Sequence, residues 1–211
     1  MKISYAITVC NEAKEIKSLV DILMVGKRKQ DEVVVLFDQK NGDEKIAEFL
    51  TTYSKYPNFH FHRGLEFDGN FSEWKNLLTT YCTGDYIFQI DADEYPNESV
   101  FTHIPAILES NPDNEVYLVP RVNTVKGLTQ EHIAKWGWNV NDKGWVNWPD
   151  YQWRIWKRKP EIKWKNKVHE VLDGHKTYAA LPAMEALSLY HPKTIDRQEK
   201  QNKYYESLVS R

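Results

Sequence analysis

The first 95 residues alternate between short apolar runs and longer amphipathic stretches, and this alternation is what most constrains the fold. Residues 3–9, 32–37, 59–62 and 86–90 have the length and the β-branched or aromatic content of buried strands. Between them, apolar residues recur at helical spacing. Four strand–helix units in succession predict an α/β fold with a mostly parallel sheet flanked by helices.

The second half has shorter strand-like pieces, a tryptophan-rich stretch and a tail, residues 194–208, with helical periodicity. No repeat, low-complexity segment or linker separates it from the first half. We therefore predict that residues 1–211 form a single domain.

Composition narrows the class of protein without naming a partner. A hydrophobic share of 41% and a charged share of 27% are typical of a globular chain, and the formal charge of −2 favours no ligand class. Cys10 and Cys82 lack metal-ligand spacing and are interpreted as reduced thiols. No apolar run reaches the roughly 18–20 residues of a membrane span, and residues 1–6 do not resemble a secretory signal. We expect a cytoplasmic protein, with a peripheral place at the inner membrane face left open.

Polar residues follow three of the predicted strands. Asn11, Asp38 and Asp91 each stand where a strand ends. Ligands of open parallel sheets bind beyond the carboxyl ends of the strands. These three positions therefore predict the edge of the sheet that carries the functional site.

Two carboxylates, Asp91 and Asp93, are separated by one small residue at the end of the fourth strand. Alternation along an extended segment lets both face the same side. Mg²⁺ or Mn²⁺ prefers such oxygen ligands and often shares them with substrate phosphates. The structural alternative is a solvated acidic turn.

Several motifs together resemble a known family. They are Cys10-Asn11-Glu12, Asp38, Asn76, Thr83-Gly84-Asp85, Asp91-Ala92-Asp93-Glu94, Pro149-Asp150-Tyr151-Gln152-Trp153-Arg154, Val168-His169-Glu170 and Tyr190-His191. From about residue 3 to 205 the chain resembles family 2 glycosyltransferases of the GT-A fold, in particular those of the lipopolysaccharide-core type. The resemblance implies a nucleotide-sugar-binding half, residues 1–95, and an acceptor-binding half, residues 96–211.

The resemblance also implies roles for individual residues. The donor, most simply a UDP-sugar, would lie against Thr8, Cys10, Glu12, Asp38, Asn76 and Asp91, with Asp38 accepting a hydrogen bond from the base. Mn²⁺ or Mg²⁺ would be bound by Asp91 and Asp93, with His169 or His191 as a late ligand. A hydrogen-bonded structural role is the alternative for each histidine.

An inverting transferase needs a general base for the acceptor hydroxyl, and the resemblance points to Asp150, with Gln152 and Arg154 beside it. Neighbouring tryptophans are expected to exclude water and raise the pKa of Asp150. Asp142, Glu94 and Glu170 remain alternative bases.

The acceptor stays open at this point. Residues 154–176 are rich in lysine and arginine, which predicts either a solvated strand face or a docking patch for an anionic acceptor. Seven of the eight tryptophans lie between residues 136 and 164, where they form either part of the core or a stacking surface.

The preferred acceptor is a sugar of a surface glycan or of lipopolysaccharide, and a modified DNA base is an alternative. So is a carbohydrate- or nucleic-acid-binding module without catalysis. A nucleotidyltransferase is disfavoured, because no glycine-rich loop follows the first strand. The sequence does not predict the oligomeric state.

Overall fold

The computed structural model describes the backbone of residues 1–209 and the side chains of residues 1–203. The strands are β1 (Ile3–Val9), β2 (Glu32–Asp38), β3 (Phe59–Gly64), β4 (Tyr86–Gln89), β5 (Tyr95–Pro96), β6 (Val116–Val119), β7 (Arg121–Lys126), β8 (Gln152–Lys157), β9 (Lys163–Lys165), β10 (Val171–Asp173), β11 (Tyr178–Ala180) and β12 (Leu189–Thr194). The helices are α1 (Ala13–Gly26), α2 (Glu44–Thr51), α3 (Phe71–Tyr81), α4 (Val100–Ser110), α5 (Gln130–Trp136) and α6 (Ile195–Val209), with a short 3-10 helix at Glu185–Leu187.

The central sheet has seven strands in the order β11-β6-β8-β4-β1-β2-β3. Strands β1 to β4 are mutually parallel, which confirms the predicted strand–helix units, while β8 runs antiparallel to β4 and to β6. Because β2 and β4 lie on opposite sides of β1, the connections diverge there and leave a crevice beyond the carboxyl ends. The sheet includes strands from both halves of the chain, so the chain forms one domain, as predicted.

The two faces of the sheet have separate cores, as the period-two alternation of a strand requires. On β1, Tyr5 and Ile7 pack with the buried residues of α1, α2 and α4. Ala6 faces the other way and packs with α3 and with Trp156 and Trp164. Helix α3 begins at an N-cap, where the Asn70 side chain accepts a hydrogen bond from the backbone N–H of Glu73 at 3.3 Å.

A smaller sheet, β5-β12-β7, brings the end of the chain back to the site. Strand β12 pairs in parallel with β7, with His191 opposite Asn123, and antiparallel with β5, with Tyr190 opposite Tyr95. This pairing places β12 beside the segment that follows Asp91-Ala92-Asp93. Among the helices described, none combines the length and the apolar character needed to cross a bilayer.

Candidate active site

A cavity of about 1350 Å³ opens at the carboxyl edge of the central sheet, at the crevice between β1 and β4. The strand ends predicted from the sequence all reach it: Asn11 after β1, Asp38 at the end of β2 and Asp91 after β4. It is lined by every predicted site residue except Asn76, namely Thr8, Cys10, Glu12, Asp38, Asp91, Asp93, Asp150, Gln152, Arg154, His169 and His191.

The carboxylate of Asp91 is held by a buried arginine. Arg154 on β8 donates from one terminal nitrogen to Asp91 Oδ2 at 2.5 Å and to Glu94 Oε1 at 2.6 Å. Burial raises the pKa of Asp91, but the charges of Arg154 and Lys75 outweigh it and hold that pKa well below its usual range. Asp91 is therefore a fixed anion with a protein partner.

Glu94 is the centre of this network. Its side chain is fully buried and accepts hydrogen bonds from Arg154, from Arg121 at 3.0 Å and from the backbone N–H of Asp91 at 3.1 Å. A carboxylate that is enclosed and bound in this way cannot reach an acceptor hydroxyl. Glu94 is thus a structural anion rather than the alternative base suggested by the sequence.

Asp150 lies on the other side of Arg121. Its Oδ2 accepts from Arg121 Nε at 2.9 Å, from Arg121 Nη2 at 2.6 Å and from Asn123 at 2.7 Å, and its Oδ1 accepts from Gln152 at 2.8 Å. Burial raises the pKa of Asp150, but Arg121, Asn123 and Gln152 together lower it. The expectation that this pKa would be raised is therefore wrong, because the charge of Arg121 and the hydrogen bonds outweigh the loss of water.

A chain of hydrogen bonds joins Asp150 to Asp93. The Asn123 amide nitrogen donates to Asp150, so its oxygen faces His191 Nδ1 at 2.8 Å, and that ring nitrogen carries the proton. The other ring nitrogen of His191 lies 3.3 Å from Asp93 Oδ2. Burial lowers the pKa of His191, while its hydrogen bond to Asp93 opposes that shift.

Asp93 is itself ionised. Burial raises its pKa, but the contact with His191 lowers it to about 2. Arg197 at the start of α6 lies 3.3 Å from Asp93 Oδ2 and also donates to Glu15 on α1 at 2.7 Å. The Asp93 carboxylate and the His191 ring thus face each other, with the Arg197 cation close by.

The Asp93 carboxylate and the His191 ring are the candidate ligands for a divalent cation. Among the described residues, no group of three or more histidine, cysteine, aspartate or glutamate side chains could hold a metal ion. The predicted set of Asp91, Asp93, His169 and His191 is therefore not assembled, since Arg154 holds Asp91. Asp93 and His191 nevertheless suit a hard cation that takes its other ligands from phosphate and water.

The side of the cavity that was predicted to bind the nucleotide is formed by residues at the ends of β1 and β2. Asn41 donates to Asp38 Oδ2 at 2.8 Å, and Glu12 accepts the backbone N–H groups of Cys10 and Asn11, each at 3.0 Å. Burial and the carboxylates of Asp38 and Glu12 raise the pKa of Cys10 to about 12. The thiol therefore stays protonated and is not a nucleophile.

Asn76, Asp142 and Glu170 lie in three different settings. The Asn76 amide pairs with the backbone N–H and carbonyl of Trp164, both at 2.9 Å, and so fastens α3 to β9. Asp142 is exposed and lies outside the cavity. Glu170 lines the cavity, where Lys75 binds it at 2.6 Å.

The structure also shows where the residues of the basic stretch, 154–176, and the tryptophans lie. Lys163 and Lys165 are exposed on β9 while Trp164 between them is buried, which confirms a solvated strand face for that part. Trp156 and Trp164 are core residues. Trp136, Trp138, Trp145, Trp148 and Trp153 are only half-buried.

Sequence reasoning missed Arg121, Asn123, Lys75 and Arg197, which complete the site. The available signal was electrostatic: Asp91, Asp93, Glu94 and Asp150 cannot be enclosed together without cations. Nothing in the local sequence indicates which of the 28 lysines and arginines supply them.

Solved structures of TarS from S. aureus share this fold. The structure of TarS 1–349 has a TM-score of 0.63 and 15% identity, covering 91% of this chain and 60% of that chain. Its complexes with UDP-GlcNAc and with UDP have TM-scores of 0.57 and 0.54, also at 15% identity, covering 89% and 86% of this chain and 60% and 61% of those chains. The chain thus spans about 60% of the length of these structures. The likeness shows the fold, which is GT-A as the resemblance implied.

No curated protein sequence matches the chain significantly. The profile of glycosyl transferase family 2 matches residues 4–181, well over half of the 211 residues. The chain therefore belongs to glycosyl transferase family 2.

Proposed function

We propose that this chain is an inverting, metal-dependent glycosyltransferase that moves a sugar from a UDP-sugar to an acceptor hydroxyl, most simply on a surface glycan. The observation that carries the proposal is the pair of carboxylate centres on one cavity. Asp93 with His191 forms one centre and Asp150 the other, and Asn123 connects them through two short hydrogen bonds. The TarS complexes with UDP-GlcNAc and UDP support UDP as the nucleotide.

The donor would occupy the side of the cavity formed by residues 1–95. Asp38, held by Asn41, would accept a hydrogen bond from the base N–H, and the β1 end with Thr8 and Cys10 also lines the cavity. The diphosphate would reach Asp93, where a positively charged rim includes Lys193, Arg197 and Lys200. These cations stabilise the negative charge that grows on the departing diphosphate.

Mn²⁺ or Mg²⁺, bound by Asp93 and His191, would supply further charge stabilisation to the leaving diphosphate. The chain's own residues prepare that site. Asn123 fixes the His191 tautomer, and Arg154 restrains Asp91. Hydrogen bonds of this kind orient ligands and set their basicity.

Asp150 would act as the base. As the acceptor oxygen forms a bond to the anomeric carbon, the bond from that carbon to the phosphate oxygen breaks, and the electron pair leaves with UDP. The acceptor proton passes to Asp150. The lowered pKa of Asp150 keeps it ionised at neutral pH, so it accepts the proton late, when the attacking hydroxyl has become acidic.

Calorimetry with UDP, with and without Mn²⁺, tests the proposal. We expect Mn²⁺-dependent UDP binding and a slow, Mn²⁺-dependent hydrolysis of one UDP-sugar when UDP-, GDP-, ADP- and CMP-sugars are compared. Asp93→Ala should abolish the Mn²⁺ dependence. Asp142→Ala, which removes an exposed carboxylate outside the cavity, should retain it. A UDP affinity that changes neither on addition of Mn²⁺ nor in Asp93→Ala would contradict the metal-dependent mechanism.

A further inference from the structure

The segment from residue 137 to 149, here the tryptophan loop, is fastened directly beside Asp150. The Val146 N–H donates to the Asn123 carbonyl at 2.9 Å, and the Asn123 side chain donates to Asp150 at 2.7 Å. Val146 is buried, and it lines the cavity together with Trp138 and Asn147 of the same loop. One wall of the cavity next to Asp150 is therefore formed by this loop.

Hydrogen bonds of the loop and contacts with neighbouring rings hold Trp138 in that wall. The flanking Asn139 and Asn147 exchange two hydrogen bonds, at 2.8 and 2.9 Å. Trp138 contacts Trp136, with ring centroids 4.7 Å apart, and Trp136 contacts His132, with centroids 5.2 Å apart. An aromatic ring supported in this way and still half-exposed on a cavity is prepared to stack on a ligand at little entropic cost.

The charge of the tryptophan loop differs from that of β12 and α6. The only charged residues of the tryptophan loop are Asp142 and Lys143, and both lie in a separate outer cleft, where Lys143 pairs with Glu185 at 3.1 Å. The cavity-facing residues of the loop are thus uncharged. Lys193, Arg197 and Lys200 line the cavity from β12 and α6, not from the loop. An anionic acceptor, whether DNA or a phosphorylated sugar, would meet no cation from the loop, and Arg121, which lines the cavity beside Asp150, is already paired with Asp150 and Glu94.

We propose that the acceptor is a neutral sugar whose apolar face stacks on Trp138, with Asn147 hydrogen-bonding its hydroxyls, so that one hydroxyl points at Asp150. This inference rests on the proposed glycosyl transfer and names its acceptor class. Stacking on a rigid indole orients a pyranose ring without charge. In the reaction, the acceptor hydroxyl gives its proton to Asp150 and its oxygen bonds to the donor's anomeric carbon as UDP leaves.

The test uses UDP release above the hydrolysis background, with defined acceptors. The neutral set is methyl glycosides of glucose, galactose and N-acetylglucosamine. The anionic set is glucose 6-phosphate and a short oligonucleotide carrying 5-hydroxymethylcytosine. We expect a neutral glycoside to stimulate UDP release and the anionic set to give none. Stimulation only by an anionic acceptor, or by no neutral glycoside, would overturn the inference.

The same assay on variants locates the effect. In Trp138→Ala we expect the KM for the active glycoside to rise about tenfold or more, with recovery in Trp138→Phe. Trp145→Ala, a half-buried tryptophan of the outer cleft, is the matched control and should leave that KM unchanged. UDP binding and donor hydrolysis in Trp145→Ala should stay within about twofold of wild type.

These readouts separate the two proposals. A wild-type chain that neither binds UDP nor hydrolyses a UDP-sugar would defeat the proposed function and this inference with it. If the wild-type chain binds UDP and hydrolyses a UDP-sugar, but Trp138→Ala leaves the KM for the glycoside unchanged, only the proposed acceptor site is contradicted. If Trp138→Ala lowers the melting temperature, the Trp138→Phe and Trp138→Tyr variants decide the result through the same KM comparison.

Discussion

The two ends of the central sheet each enclose a glutamate, but they use it differently. At the amino end, fully buried Glu32 accepts from Lys2 at 2.5 Å, from Ser4 at 2.6 Å and from the Thr83 N–H at 2.7 Å. At the carboxyl end, fully buried Glu94 accepts from Arg121 and Arg154.

The difference lies in what surrounds each glutamate. The packing beside Glu32 is tight: Gly84 donates to Ser4, a partner of Glu32, and a Cβ added at Gly84 would come within 2.7 Å of both the Ser4 nitrogen and its hydroxyl oxygen. Around Glu94, the same arginines continue to Asp91 and Asp150, whose carboxylates line the cavity. A buried carboxylate is therefore not itself a sign of function. Its connection to charged groups on an open edge is.

Among the changes that test this comparison, we expect a substitution of Asp150 to have the largest effect on the transfer rate. Asp150→Asn removes the carboxylate that would take the acceptor proton, so we expect transfer to fall by about 100- to 10,000-fold. UDP affinity, measured by calorimetry, should stay near the wild-type value because the donor side is intact. Transfer at the wild-type rate would show that another group is the base.

Glu94→Gln should affect both stability and activity. The change removes the shared negative charge between two enclosed arginines, and breaking a buried ion pair costs about 3–5 kcal/mol. Urea unfolding measures the loss, and the transfer rate should fall with it because Asp91 and Asp150 lose their common support. A free energy of unfolding within about 1 kcal/mol of wild type would contradict this role for Glu94.

Glu32→Gln should affect stability alone, by about 1–3 kcal/mol, because hydrogen bonds to the charged carboxylate are lost far from the cavity. Burial raises the pKa of Glu32, but hydrogen bonds from Lys2, Ser4 and Thr83 outweigh it and lower the pKa from 4.5 to about 2.

The pH dependence follows from that shift. A carboxylate with a depressed folded-state pKa contributes stability above about pH 4.5, and this contribution is lost as the pH falls towards 2. Thermal unfolding from pH 7 to pH 2 should therefore show the wild-type advantage over Glu32→Gln shrinking in that window. An advantage that persists unchanged to pH 2 would rule out this explanation.

The smallest effect is expected at Asn70, the N-cap of the helix that carries Lys75. Asn70→Ala should cost about 1 kcal/mol, since the Glu73 N–H loses its acceptor. Asn70→Asp, which keeps an acceptor, is the control and should recover most of the loss in a urea titration. Equal stability of Asn70→Ala and wild type would mean that water replaces the cap.

Much of the fold was predictable because it depends on local pattern. Apolar runs at strand length and helical spacing between them specified β1 to β4, and the strand-end rule placed Asn11, Asp38 and Asp91 on one edge. The antiparallel insertion of β8 between β4 and β6 was not predictable, because its pairing with β4 joins segments more than sixty residues apart. The raised pKa expected for Asp150 failed for the same reason: its hydrogen-bond partner Arg121 is distant in sequence.

By itself, the sequence determined the α/β pattern, the family resemblance and the candidate carboxylates, since these depend on short-range order along the chain. Only the tertiary structure decided which charged and hydrogen-bonding side chains contact each other. His191 faces Asn123 because β12 and β7 pair in that register, and Arg154 reaches Asp91 and Glu94 because β8 lies beside β4. Electrostatic and hydrogen-bond energies depend on distances of a few ångströms, and strand register between remote segments sets those distances.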